Sequence, residues 1–230
     1  MKQFLIPFLF LVASTQVSKA QEMQYPLDNN PTIISYNLKH SREPIRTFSY
    51  PDTLSLPFVE DFSRDGIYAT SDLWLDSGAF INSTFCDNPV TVGVATFDGI
   101  DKFGNRYSTS TARQYCDTLT SKPIRLAFAA SLPDTTIWMS FYYQPQGLGI
   151  APASQDSMLL LFKDSTGTWN RVWNKTGTTK QPFQRVFIHV NDGKYFFDGF
   201  QVRFMNYGPP NKNSDHWNYA CADCSKTFEL

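Results

Sequence analysis

The amino-acid sequence predicts an all-β sandwich of two antiparallel sheets, and three observations carry that prediction. Short apolar runs with period-two alternation recur along the chain, spaced about eight to twelve residues apart and separated by turn-forming clusters. No helical period of ten residues or more occurs after the first twenty residues. Composition agrees: aromatic residues make up 16% and charged residues only 18%, below the usual quarter. A formal net charge of −1 gives no electrostatic reason for a nucleic-acid or acidic-membrane partner.

The clearest strand is Ile137-Trp138-Met139-Ser140-Phe141-Tyr142-Tyr143, followed by Gln144-Pro145-Gln146-Gly147. Ile137, Met139, Phe141 and Tyr143 share one face, while Trp138, Ser140, Tyr142 and Gln144 share the other. Large side chains on both faces mark a central strand, and Pro145 with the two nearby glycines marks its end.

At the N-terminus, Lys2 precedes the apolar run Phe4–Ala13, and Ser18-Lys19-Ala20 offers small residues for signal-peptidase cleavage. Residues 1–20 therefore read as a signal peptide, and the chain as exported to the periplasm, the outer-membrane surface or beyond. Ten apolar residues are too few to span a bilayer, which needs roughly twenty. No later segment is apolar enough to span one. Gln21 to Ser55 is polar and Pro-containing and reads as an extended segment, with Thr32-Ile33-Ile34 as an edge-strand patch. The folded domain is expected to begin near Leu56-Pro57-Phe58 and to reach Trp217.

Within it, Val90–Phe97 is β-branched and closes on Asp98-Gly99, and Ile124–Phe128 alternates. Met158–Phe162 runs into the turn cluster Lys163–Gly167, and Trp169–Trp173 comes next at hairpin distance. Phe183–Val190 places Val186, Ile188 and Val190 on one face. The last strand turns Phe200, Val202 and Phe204 inward and Gln201 and Arg203 to water. Phe141, Val186, Ile188, Val202 and Phe204 form the expected core.

The order of motifs resembles a MAM-like, laminin-G-like jelly roll. The pieces are Glu60-Asp61-Phe62, Trp74, Gly93–Gly99, Leu119–Ile124, Ser140–Tyr143, Gly199–Phe204 and Asp215-His216-Trp217. It is similar in particular to exported proteins of bacteria with a type IX secretion system. The resemblance implies a two-sheet antiparallel jelly roll and an adhesive or binding role at the cell surface. It also implies a closing strand of the form Trp-x-Ile-Asp-x-Val-x-Leu. Here Trp217 is followed by Asn218-Tyr219-Ala220-Cys221-Ala222-Asp223-Cys224-Ser225 instead. Residues 218–230 are thus expected to be an atypical tail, from a truncated or frameshifted copy, that leaves a sheet edge unpaired. No sorting domain of the type IX system occurs after Trp217, so that secretion route is not carried over.

Four cysteines in an oxidising compartment invite disulfides. Cys86 and Cys116 flank a loop-rich stretch and are expected to be bridged, closing a loop of about thirty residues; two separate buried thiols are the alternative. Cys221-x-x-Cys224, with His216 nearby, lacks both the βαβ frame of a redox pair and the four ligands of a zinc site.

Glycoside hydrolases of this general fold carry Glu-x-Asp-x-x-Glu on one strand, and that pattern is missing, as are metalloprotease and esterase motifs and phosphate-cradling loops. The sequence therefore favours a non-catalytic module over a carbohydrate-active enzyme. A glycan or a surface protein is the expected partner, and no cofactor is expected. Strand parity nominates Trp138, Tyr142, Trp169 and Trp173 as ligand-stacking aromatics, with packing in a second core layer as the alternative. A structural calcium is possible near Asp61 and Asp98, although two carboxylates fall short of six to eight oxygen ligands. Asp52–Leu54, Asp117–Leu119 and Asp156–Met158 resemble a bacterial O-glycosylation acceptor, a pattern that is also frequent by chance.

Overall fold

The computed structural model describes residues 25–41, 52–131 and 137–225. The expected signal peptide, residues 1–20, lies outside them. Among the described residues the strands are β1 (Phe58–Glu60), β2 (Phe80–Asn82), β3 (Val94–Phe97), β4 (Gln114–Thr120), β5 (Trp138–Pro145), β6 (Ser157–Lys163), β7 (Trp169–Thr176), β8 (Gln184–His189), β9 (Gln201–Gly208) and β10 (Trp217–Ser225). One sheet runs β2-β3-β10-β5-β8, with β1 added on β10, and the other runs β4-β9-β6-β7. All pairings are antiparallel. Counted from β3 as first, the sheets read 1-8-3-6 and 2-7-4-5. That order is a jelly roll.

The core fills the space between the sheets. Met139, Phe141 and Tyr143 of β5 meet Met158, Leu160 and Phe162 of β6 and Val202 and Phe204 of β9, all buried. Val186 and Ile188 pack against this core and are partly buried, which agrees with their parity. Gln201, expected in water, is instead buried, and its side-chain amide donates to Ser121 O at 2.7 Å.

The residues behind the family resemblance hold the fold together. The buried Glu60 carboxylate accepts from the Phe62 N–H and from Trp74 Nε1, both at 2.8 Å. Phe62 adopts φ 52°, and a Cβ at Gly93 would lie 2.1 Å from its carbonyl oxygen. Only glycine fits there. Asp98 and Asp117 lie in a buried polar seam, where the Asp98 N–H donates to Asp117 Oδ2, Tyr107 OH donates to Asp117 Oδ1, and Asn206 accepts from the Asp117 N–H and donates to Asp98 O. Burial raises both carboxyls well above the usual carboxylate range.

His216, 2% exposed, closes the seam. Its Nδ1 accepts from the Ile150 N–H at 2.9 Å, so the ring proton sits on Nε2, which meets Asn213 Oδ1 at 2.7 Å. Burial depresses its pKa from 6.5 to about 4. A folded-state pKa below the unfolded one makes this contribution to stability full above about pH 6.5, and it is lost as pH falls through about 4. Long-range proton–nitrogen spectra at about pH 5.5 should show a neutral Nε2–H ring, where an ordinary histidine is mostly charged. An imidazolium signal for His216 at that pH would contradict the buried geometry.

Three expectations need correction. The segment before Leu56 is not simply extended: Pro31–His40 forms a ten-residue helix, α1. Asn30 caps it, accepting from the Thr32 and Ile33 N–H groups, and Pro31 opens its first turn. Ile33 is buried, and Leu27 and Asn29 bridge to Asn213 and Asn105, so residues 27–40 are docked on the domain, while residues 21–24 and 42–51 lie outside the described ones.

The stretch after Trp217 is not an unpaired tail as far as Ser225; residues 226–230 lie outside the described residues. It forms β10, hydrogen-bonded to β1, β3 and β5 at the centre of its sheet.

Cys86 and Cys116 are also not bridged. Both are free and buried, Cys86 against Val94 and Ala220 on one sheet, and Cys116 on β4 of the other, where its Sγ approaches Gly208 O at 3.8 Å. Cys86 lies in a loop packed on one sheet and Cys116 in a strand of the other, and burial pushes the Cys116 thiol up to about 12. The side chains of Cys221 and Cys224 lie outside the described ones.

Two strand expectations shrink. Val90 and Val92 are exposed, so the run Val90–Phe97 is a strand only from Val94. Ile124 makes only isolated bridges, to Leu54 and to Phe200, before a short 3-10 turn at Ala127–Ser131. Among the described residues no helix is long and apolar enough to cross a membrane.

Candidate binding face

The pleat of β5 sends Trp138, Ser140 and Tyr142 away from the core, onto the outer face of the six-stranded sheet. Their cross-strand partners on β8 are His189, Phe187 and Arg185. Trp138 and His189 stack at 4.5 Å with planes 10° apart. The Arg185 guanidinium lies 4.5 Å over the Phe187 ring and 5.4 Å over Tyr142, with an Nη2 to Ser140 Oγ contact of 3.5 Å. Phe187 is 43% exposed.

On the other side of β5, Asp223 of β10 stands opposite Ser140, and the exposed Val59 of β1 stands opposite Asp223. A row Val59–Asp223–Ser140–Phe187 therefore crosses four strands. Asp223 reaches this row through a bulge: the β10–β5 register shifts between Ala220 and Ala222. Without the extra residue, Asp223 would share the inward parity of Tyr219. The bulge re-aims it outward. Its Oδ1 is buried without a hydrogen-bond partner. Burial raises its pKa, and the nearby Arg185 charge opposes that rise. A buried, unsatisfied acceptor is costly and calls for a partner.

The four nominated aromatics do not form one site. Trp138 and Tyr142 share the face just described. Trp169 lies on the other sheet, with the Arg203 guanidinium 4.0 Å over its ring. Trp173 points between the sheets, 5.1 Å from Phe141 and 5.0 Å from Tyr143. A register shift between Leu160 and Leu161 makes Val172 the extra residue of β7 and reverses the parity of Trp173. Trp173 is thus a core residue.

Sequence parity missed Arg185, Phe187 and Asp223. The alternation in Phe183–Val190 already placed the first two outward, whereas nothing in the sequence marked the bulge that exposes the third.

The acidic residues considered for calcium are also apart in character. Asp61 is exposed and holds the Ser63 N–H and hydroxyl, while Asp98 is 3% exposed within the seam and accepts from the Ile100 N–H. Among the described residues no three of His, Cys, Asp and Glu gather to hold a metal ion. Both His216 ring nitrogens are engaged, which leaves neither for zinc. Asp117, within an acceptor-like tripeptide, is 1% exposed and serves the seam.

The sequence matches no protein-family model and no curated protein. Among solved structures, the chain is similar to a xylan-binding domain of carbohydrate-binding module family 22, at 12% identity and a TM-score of 0.38, over 75% of this chain and 96% of that domain. It is similar to the C-terminal family 22 carbohydrate-binding module of Clostridium thermocellum Xyn10B at 12% identity and a TM-score of 0.39, over 75% of this chain and 95% of that one. Likeness at that level names neither a family nor a ligand for this chain.

Proposed function

We propose that this domain is a non-catalytic binding module that holds a glycan across the outer face of its six-stranded sheet. The observation that carries the reading is the Asp223 Oδ1, buried and unpartnered between Ser140 and apolar platforms. A sugar ring offers C–H groups to a surface such as Phe187 or Trp138 and hydroxyls to a carboxylate and a guanidinium. From Trp138 to Tyr142 the face spans four residues, about 14 Å, room for a short oligosaccharide.

Binding fits better than hydrolysis. Of the described residues in the rows through Trp138, Ser140 and Tyr142, Asp223 alone is a carboxylate, and glycoside hydrolysis uses two. The basic and apolar N-terminal segment supports export, and the order of motifs supports a MAM-like surface module of type IX-secreting bacteria.

A glycan array with a matched hydrolysis assay tests the reading. Binding without release of reducing ends is expected. Phe187→Ala should weaken it several-fold, up to about tenfold, and Asp223→Asn roughly tenfold or more. Unchanged binding in both variants, or turnover of the glycan, would refute the proposal.

A further inference from the structure

The face does not stop at Tyr142. Tyr142 and Phe183 both pack on the cluster of Cys86, Val94 and Ala220, and Phe183 then lines a pocket of about 270 Å³ with Asp87, Asn88, Lys180, Gln181 and Pro182. We infer that this pocket is an end subsite, which takes the terminal sugar of the bound chain through two adjacent hydroxyls. The inference rests on the glycan reading above and adds where the chain ends.

The walls are held from beneath. Gln144, with no exposure, accepts from the Asp87 N–H at 2.8 Å and donates to the Asp87 carbonyl at 2.9 Å. Asn218 donates to Phe85 O at 3.1 Å, and the Leu148 N–H donates to the same oxygen. On the opposite wall the Lys180 N–H donates to Gln146 Oε1 at 2.8 Å. Gly147, at φ +59°, could not carry a side chain, because a Cβ there would lie 2.2 Å from Phe85 O. Two buried amides, Gln144 and Asn218, fix the Asp87 loop, and the partly exposed Gln146 ties the Lys180 loop, so the pocket is largely preformed and binding costs little ordering there.

Its chemistry is specific. Asp87 Oδ2 and Lys180 Nζ are 2.7 Å apart, and both side chains are partly exposed. The ammonium has three donors and the carboxylate about four acceptor sites, so each can bind again after pairing. Two adjacent ring hydroxyls match such a pair, one donating to the carboxylate and one accepting from the ammonium, while Phe183 offers its ring to the C–H face. The pair is neutral overall, which favours an uncharged sugar. The volume is below the roughly 300–1,000 Å³ of pockets for larger ligands, so it suits one ring rather than a chain passing through.

The test uses cellohexaose, xylohexaose and mannohexaose, each beside its soluble polymer, titrated against the full chain. A long polymer should bind one protein per chain whatever its length. Asp87→Asn and Lys180→Met should each weaken the hexasaccharide about tenfold, the loss expected for one charge-assisted hydrogen bond. Melting should stay unchanged, because the loop is held by Gln144 and not by these side chains. Many proteins bound per polymer chain, or variants that bind as before, would overturn the end subsite while leaving the glycan face standing. If no probe binds, or if Phe187→Ala has no effect on those that do, the face itself fails and the subsite with it.

Discussion

Ending the chain after His216 is expected to abolish cooperative folding. β10 begins at the next residue and is central to its sheet: Trp217–Tyr219 pairs with Phe97–Ala95 of β3, and Cys224–Ala222 pairs with Phe58–Glu60 of β1. On its other side it runs along β5 from Pro145 back to Trp138. Without β10, the pair β2–β3 loses its link to β5–β8, and β1 loses its only pairing among the described strands. The backbone groups of three strands would then face unpaired into the domain. Trp217 and Tyr219, both with no exposure, would be lost as well. Removal of one buried aromatic costs about 3–5 kcal/mol, and a whole domain is stable by only about 5–15 kcal/mol, so two such losses with a missing strand exceed what the fold can absorb. Circular dichroism and amide dispersion should report an unfolded or molten product. A truncated chain with a sharp melt and dispersed amides would show that β10 is dispensable.

That strand also marks where the sequence stopped being legible. The runs Met158–Phe162 and Phe183–Val190 could be read because their alternation is unbroken or closes on a turn such as Asp164–Thr168, where Asp164 Oδ1 accepts from the Thr166 and Thr168 N–H groups. β10 could not, because alternation assumes that every residue is paired. One extra residue between Ala220 and Ala222 reverses the parity of the rest of the strand, so Asp223 looked misplaced in a core strand when it belongs on the outer face. The same physics turned Trp173 from a ligand candidate into a core residue. Helix α1 was missed for a different reason: it buries only Ile33, so it shows little apolar period, and the Asn30-Pro31 start signal was its clearest mark. Half of the candidate face, Trp138 and Tyr142, came from parity along β5. Its polar half depended on which residues neighbouring strands set beside Ser140, and register across strands far apart in sequence is not written in either strand alone.

Phe141→Ala should be the most destabilising single substitution on β5, at about 3–5 kcal/mol. Phe141 is fully buried and is the point where both sheets meet. Its ring lies 5.0 Å from Phe204 of β9 and 5.1 Å from Trp173 of β7 across the core, and 5.7 Å from Tyr219 of β10 in its own sheet. Contacts in three directions leave no single neighbour able to collapse into the space, so most of the lost volume should persist as a cavity. Phe141→Leu keeps much of the apolar volume and should cost clearly less than the alanine change. Trp169→Ala, on the outer face of the other sheet, should cost no more than about 1 kcal/mol, mainly its cation–π contact with Arg203. Denaturant unfolding of the three variants gives the order directly, provided the slope with denaturant stays constant. A loss below about 1 kcal/mol for Phe141→Ala, or a larger loss for Trp169→Ala, would mean that the inward and outward faces of these strands have been exchanged.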